Sequence, residues 1–167
     1  MSLIVLFGLP GTGKTYVGKI LKEYFGFYFY DGDNDLTEEM IDAIKTKTVF
    51  TDQMRDRFFI ILIKKIQSLK SKYQKLVVSQ TFIKEKYRLQ LLKKIPEAKF
   101  FLIKTKRFLR EKRLIERKDY PLDLEYARKM VKNFETPKID HKVIKNNKEG
   151  AKYIKKQIQQ FLLQFPF

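Results

Sequence analysis

One segment limits the possible folds more than any other: GLPGTGKT, residues 8–15, which follows the apolar run LIVLF and precedes a stretch of helical periodicity. Gly8, Gly13, Lys14 and Thr15 satisfy G-x-x-x-x-G-K-[ST], and Gly11 adds further backbone freedom. Glycines in this pattern let the backbone curl until its N–H groups converge on phosphate oxygens, and the helix that follows adds the positive end of its dipole. Lys14 then neutralises the β- and γ-phosphates, and the Thr15 hydroxyl joins a Mg²⁺ shell. The loop is therefore expected to hold a nucleoside triphosphate, ATP, through Gly8, Pro10, Gly11, Thr12, Gly13, Lys14, Thr15 and Tyr16.

Downstream, apolar runs of about five residues alternate with longer helical stretches, a rhythm that argues for a parallel sheet covered by helices on both faces. Strands are expected at residues 3–7, in FYFYD ending at Asp31, in KLVVSQ, at residues 99–104 and in HKVIK. The first helix carries Val17, Ile20, Leu21 and Tyr24 on one face, and a helix over residues 52–72 carries Phe58, Leu62, Ile66 and Leu69. Further helices are expected at residues 84–94, 108–118 and 122–134, and a last one buries Ile154, Ile158, Phe161, Leu162 and Phe165. The fold class is thus α/β, a doubly wound parallel sheet of five strands; the resemblance of the loop to P-loop proteins implies a three-layer P-loop NTPase fold with the strand order 2-3-1-4-5. Ligands of such a sheet lie at the carboxyl ends of its strands. No linker, repeat or low-complexity block divides the 167 residues, so one domain is expected, with a helical lid around residues 107–121.

Composition narrows the chemistry. There is no cysteine and a single histidine, His141, so disulfides are excluded and a zinc site is argued against; His141 is taken as a structural residue at the sheet edge. The apolar runs fall short of the ~20 residues that span a bilayer, so a soluble, cytoplasmic protein without a membrane partner is expected. The net charge of +17 suits an anionic partner. However, only 8 of the 36 basic residues are arginine, and the lysines are scattered. Compositional bias accounts for that better than nucleic-acid binding, which stays open as the lesser reading.

The acceptor of the phosphate must be read elsewhere. No NKxD element selects guanine, and no strand ends in the apolar-DE pattern of a typical ATPase, which leaves kinases. DGDND places Asp31 and Asp33 at the end of the second strand: Asp33 to take the proton of an attacking hydroxyl, Asp31 to hold Mg²⁺ beside Thr15. An Asp-Gly turn capped by carboxylates gives the same pattern without chemistry. In TDQMR, Thr51 or Asp52 caps a helix and Arg55, one turn on, can face an anionic acceptor. Lys84 and Arg88 in KEKYR stand four apart, and cations there suit an acceptor bearing a carboxylate or phosphate. The basic segment RFLREKRLIERKDYP puts Arg113 and Arg117 four apart on one helical face, able to close over the triphosphate as arginine fingers.

In order and over about 140 residues, these pieces resemble the small P-loop phosphotransferases of the gluconokinase and shikimate kinase type, the gluconokinase pattern more closely. GLPGTGKT, DGD, TDQMR, the helix keeping Lys84, Tyr87 and Arg88, and the lid keeping Arg113 and Arg117 carry the resemblance. It implies ATP and Mg²⁺, a mobile lid, and transfer of the γ-phosphoryl group to a hydroxyl of a small, often anionic molecule such as a sugar acid. By the same resemblance Asp33 matches the hydroxyl-activating carboxylate and Asp31 the one on the metal side. Departures occur at Gln80-Thr81-Phe82 after the third strand, at Lys47, and at Asp119-Tyr120 after the lid. Two other readings stand beside this one: a kinase acting on nucleotides or polynucleotide 5′-ends, and a non-catalytic nucleotide-dependent binding module.

Overall fold

The computed structural model describes residues 2–117 and 123–164. Its centre is the strand β1 (Ser2–Phe7), buried along its whole length. Around it lie β2 (Tyr28–Asp31), β3 (Lys75–Ser79), β4 (Lys99–Lys104) and β5 (His141–Lys145). They form one sheet in the order β2-β3-β1-β4-β5, every neighbouring pair parallel. This is the expected order, and it follows from burial: only a strand flanked on both sides and covered on both faces reads as unbroken apolar sequence.

The two-residue period of β1 sorts the core into two layers. Leu3, Val5 and Phe7 face α3 (Asp52–Lys72) and α4 (Glu85–Lys94), in a cluster holding Phe58, Leu62, Ile66, Leu69 and Tyr87. Ile4 and Leu6 face α1 (Lys14–Phe25) and α7 (Ala151–Gln164), packing on Val17, Ile20, Leu21, Ile154 and Ile158. Phe161 and Leu162 are half-buried against the same cluster; Phe165, expected in that stripe, lies outside the described residues. Tyr24 is 55% exposed, with Lys155 Nζ 4.0 Å from its ring centre, so the buried stripe of α1 stops at Leu21.

Three further helices stand over the carboxyl ends of the strands. A 3₁₀ turn (Gly32–Asp35) leads from β2 into α2 (Glu38–Lys45), a helix not anticipated from sequence. Thr37 caps it, its hydroxyl accepting from Met40 N at 3.3 Å, with Glu38 and Glu39 in the first turn. Its signal was present as a cap and two acids, but eight residues carry little periodicity. Helix α5 (Arg107–Glu116) falls within the residues assigned to the lid, and α6 (Leu124–Asn133) is the separate helix expected after it. Of the residues assigned to the lid, 118–121 lie outside those described. No helix among the described residues is long and apolar enough to cross a membrane.

Candidate active site

Between β1 and α1 the chain makes the glycine-rich turn. Gly13 stands at φ 92° as the cap of α1 and offers no side chain to its first N–H groups, which are left to an incoming ligand. A Cβ at Gly8 would lie 2.7 Å from the Ile103 carbonyl oxygen of β4, so only glycine lets the turn start this close to the sheet. Lys14 folds back over the turn, its Nζ donating to the Gly8 and Leu9 carbonyls at 2.9 and 3.0 Å. Burial drives its pKa down to about 8; Asp33 and Asp31 oppose the fall and the Arg117 charge adds to it.

The carboxylates at the end of β2 meet this turn. Asp31 Oδ1 accepts from the Asp33 N–H at 3.0 Å, capping the 3₁₀ turn, while Oδ2 accepts from the Thr15 hydroxyl at 3.4 Å. Asp31 thus caps the turn with one oxygen, as the Asp-Gly reading expects, and meets Thr15 with the other. Burial and the neighbouring Asp33 raise the pKa of the Asp31 carboxyl, and a cation placed here would favour its charged form. Gln80, one residue past β3, donates from Nε2 to Asp33 Oδ1 at 3.0 Å, and its Oε1 accepts from Thr81 N at 2.7 Å. This residue, a departure from the gluconokinase pattern, orients Asp33. The pairing of Asp31 with Ser79 in the parallel register brings it there.

Two buried side chains that sequence reading passed over tie the turn to the lid. Thr105 Oγ1 and Asn146 Nδ2 both reach the Thr12 carbonyl, at 2.9 Å each. Arg113 Nη1 donates to Thr105 Oγ1 at 3.4 Å and Nη2 to the Asn146 carbonyl at 3.2 Å. They sit just beyond β4 and β5, in short loops whose sequence gives no sign that they meet the residue-12 backbone.

A cavity of about 330 Å³ gathers Lys14, Thr15, Asp31, Asp33, Arg113 and Arg117, with Pro10, Gly11, Gly13 and Tyr16 also on its walls. Helix α5 ends at Glu116, so Arg117 approaches from the residue after the helix rather than from one helical face with Arg113. Gly8 and Thr12 are buried beneath the turn. Arg55, 7% exposed, opens on a smaller adjoining cavity of about 40 Å³ that shares Leu36, Phe50, Gln80, Thr81, Tyr126 and Met130 with the first.

Two expected acceptor-binding cations go elsewhere. Lys84 Nζ pairs with Asp52 Oδ1 at 2.7 Å, joining the starts of α3 and α4. Arg88 is fully buried: Nε donates to the Phe82 carbonyl at 2.9 Å, Nη1 to Glu85 at 2.6 Å and Nη2 to the Glu135 carbonyl at 2.8 Å. Its guanidinium lies over the Phe7 and Phe134 rings. The correction has a simple cause. With α4 beginning at Glu85, Arg88 points inward one turn along, where it holds Phe82 in a left-handed conformation, φ 46°. Arg88→Ala is expected to lower unfolding free energy by about 3–5 kcal/mol, since Glu85 loses its ion pair and the Phe82, Ile83 and Glu135 carbonyls lose a donor; urea titration measures this.

The donor set suits a hard divalent cation. Thr15 and Asp31 contribute one hydroxyl and one carboxylate, and no group of three or more His, Cys, Asp or Glu able to hold a metal occurs among the described residues. Mg²⁺ is held in this way, by one or two protein oxygens with phosphate and water completing the shell.

No family model matches the chain. A protein of Xenopus tropicalis named "probable gluconokinase" is 32% identical over 90 residues, 54% of this chain; the match spans about half, 47%, of the relative's length. Among solved structures, a sugar kinase from Janibacter sp. HTCC2649 superposes with a TM-score of 0.81 at 17% identity, covering 98% of this chain and 93% of that one. A gluconokinase from Sinorhizobium meliloti 1021 gives 0.80 at 19%, covering 98% and 97%. A shikimate kinase from Acinetobacter baumannii, in complex with shikimate, gives 0.66 at 19%, covering 100% and 96%. These structures share the fold.

Proposed function

We propose that this chain, similar to the P-loop kinases of the gluconokinase and shikimate kinase type and folded like them, is an ATP-dependent phosphotransferase. It moves a γ-phosphoryl group to a hydroxyl of a small anionic acceptor. The observation that carries this is the meeting of Asp33 with Lys14 and the Thr15–Asp31 pair in one cavity. A nucleotide-dependent binding module needs the loop but not a carboxylate fixed beside it.

Thr15 and Asp31 would hold Mg²⁺, which would supply neutralisation of the phosphate charge. The turn's N–H groups and Lys14 hold the phosphates; Lys14 exchanges the Gly8 and Leu9 carbonyls for them. Thr15 and Asp31 hold the metal side. Asp33, aimed by Gln80, orients the acceptor hydroxyl and takes its proton as the new O–P bond forms and the bond to the leaving diphosphate oxygen breaks. Arg117, near enough to Lys14 to lower its pKa, offsets charge on the transferring group. Arg113, braced by Thr105 and Asn146, fixes the lid against the turn. Most of the acceleration comes from positioning and fixed charge. The reaction needs a compartment that supplies ATP, as the cytoplasm does.

The test is consumption of Mg-ATP across sugar acids, hydroxy acids, nucleosides and 5′-hydroxyl oligonucleotides, with Lys14→Ala as the blank. Lys14-dependent turnover with a small acceptor supports the reading; turnover only with oligonucleotides would replace the acceptor class. A pH effect should accompany it. Bound phosphate favours the charged lysine, so nucleotide affinity should hold below the free-protein pKa of about 8. It should then weaken about tenfold per unit above it, as read by calorimetric titration from pH 7 to 9.5. The unliganded fold shows the opposite sign. Its lowered lysine pKa means that the unfolded chain binds more protons between about 8 and 10.5, so stability rises with pH there.

A further inference from the structure

We infer that the acceptor is a carboxylate with a compact, mostly apolar body rather than an open polyhydroxylated sugar acid; this rests on the proposed phosphotransfer and names its substrate class. The walls that the two cavities share are Leu36, Phe50, Tyr126 and Met130, with Gln80 and Thr81 as the polar ones and Ile44 lining the larger cavity beside them. Ile44 and Tyr126 belong to a small apolar cluster on which Leu36, Phe50 and Met130 pack, so these walls are held in place. Phe50 and Tyr126 meet edge to face, ring centres 6.2 Å apart.

Among the described residues, the polar side chains on the shared walls are three, Gln80, Thr81 and Tyr126, and the first is already engaged. Gln80 uses its amide nitrogen on Asp33 and its oxygen on the Thr81 N–H. A ligand with four or five secondary hydroxyls would leave most of them facing Leu, Ile, Met and Phe, at a cost of about tenfold in affinity for each one left without a partner.

A cation lines the smaller cavity. Arg55 is 7% exposed and, among the described residues, makes one ion-pair contact, Nη1 to Asp52 Oδ1 at 3.4 Å. That carboxylate lies closer to Lys84, at 2.7 Å, so Arg55 keeps most of its charge and of its planar fork for a ligand. A buried guanidinium calls for a partner, and its fork matches a carboxylate in two parallel bonds. Two adjoining cavities with common apolar walls, Asp33 lining the larger and Arg55 the smaller, suit a molecule with hydroxyl, carbon body and carboxylate in that order.

The experiment compares kcat/KM, under Mg-ATP, for gluconate, for the branched hydroxy acid 2,4-dihydroxy-3,3-dimethylbutanoate, and for 2,2-dimethyl-1,3-propanediol, which has no carboxylate. Binding of each is also measured by calorimetry without nucleotide. The branched acid is expected to exceed gluconate by about 100-fold or more, and the diol by a similar factor. Arg55→Gln should remove the preference for the acid over the diol. Phe50→Asn should narrow the gap to gluconate, which a variant that merely unfolds cannot do while keeping turnover. Gluconate as the better acceptor, an unchanged acid preference in Arg55→Gln, or no binding of the branched acid while Lys14-dependent ATP binding persists overturns the substrate class and leaves the kinase standing. Absence of Lys14-dependent ATP binding removes the kinase reading itself.

Discussion

Asp33→Asn should lower kcat about 10³-fold while Mg-ATP affinity stays within about twofold, because only proton acceptance and acceptor orientation are lost. Asparagine keeps an oxygen for the Gln80 Nε2 that now donates to Asp33 at 3.0 Å, and the backbone N–H bound by Asp31 is untouched. The turn and the Thr15–Asp31 pair therefore survive, and circular dichroism and nucleotide titration should match the parent protein. A variant that keeps its turnover would show that Asp33 only shapes the 3₁₀ turn. A variant that loses nucleotide affinity would place Asp33 on the metal side instead, exchanging its role with Asp31.

Gly13→Ala should weaken nucleotide binding about 100-fold or more, through two effects that add. At φ 92° an L-residue costs roughly 1–2 kcal/mol. Its Cβ would also lie 2.3 Å from Asn146 Nδ2, an amide that donates to the Thr12 carbonyl at 2.9 Å. Asn146 is 2% exposed and has nowhere to retreat, so the new methyl must displace the turn or break that bond. Either shift moves the α1 N–H groups from the phosphate position, and a 2.7 kcal/mol loss is about 100-fold in binding. Pairing the variant with Asn146→Ala tests the coupling. The double variant should recover part of the loss if the clash dominates and none if backbone strain does.

Local sequence settled much of the architecture. The strand, glycine-rich turn and helix declare themselves within residues 3–24, because period, glycine spacing and the lysine are all local. The alternation of apolar runs carried the five strands, and the unbroken apolar run of β1 marked the one buried along its whole length, since such a strand must be apolar on both faces; their order came with the resemblance to P-loop proteins. Asp31 and Asp33 were legible for the same reason, standing one residue apart where a strand stops.

What sequence could not decide was which side chains turn inward from the helix starts and interstrand loops. Lys84 and Arg88 have the spacing of a cation pair facing an acceptor, yet tertiary packing spends one on Asp52 and buries the other under Phe82. Arg55, in a segment that read equally well as a helix cap, becomes the one of these three cations that lines a cavity. Thr105, Asn146 and Gln80 gave no local signal, because their partners lie 93, 134 and 47 residues away. Motif and period reside within a few residues of chain and are written in its order. The direction of a buried charge depends on desolvation and on carbonyls brought from distant segments, so it exists only once the sheet has closed.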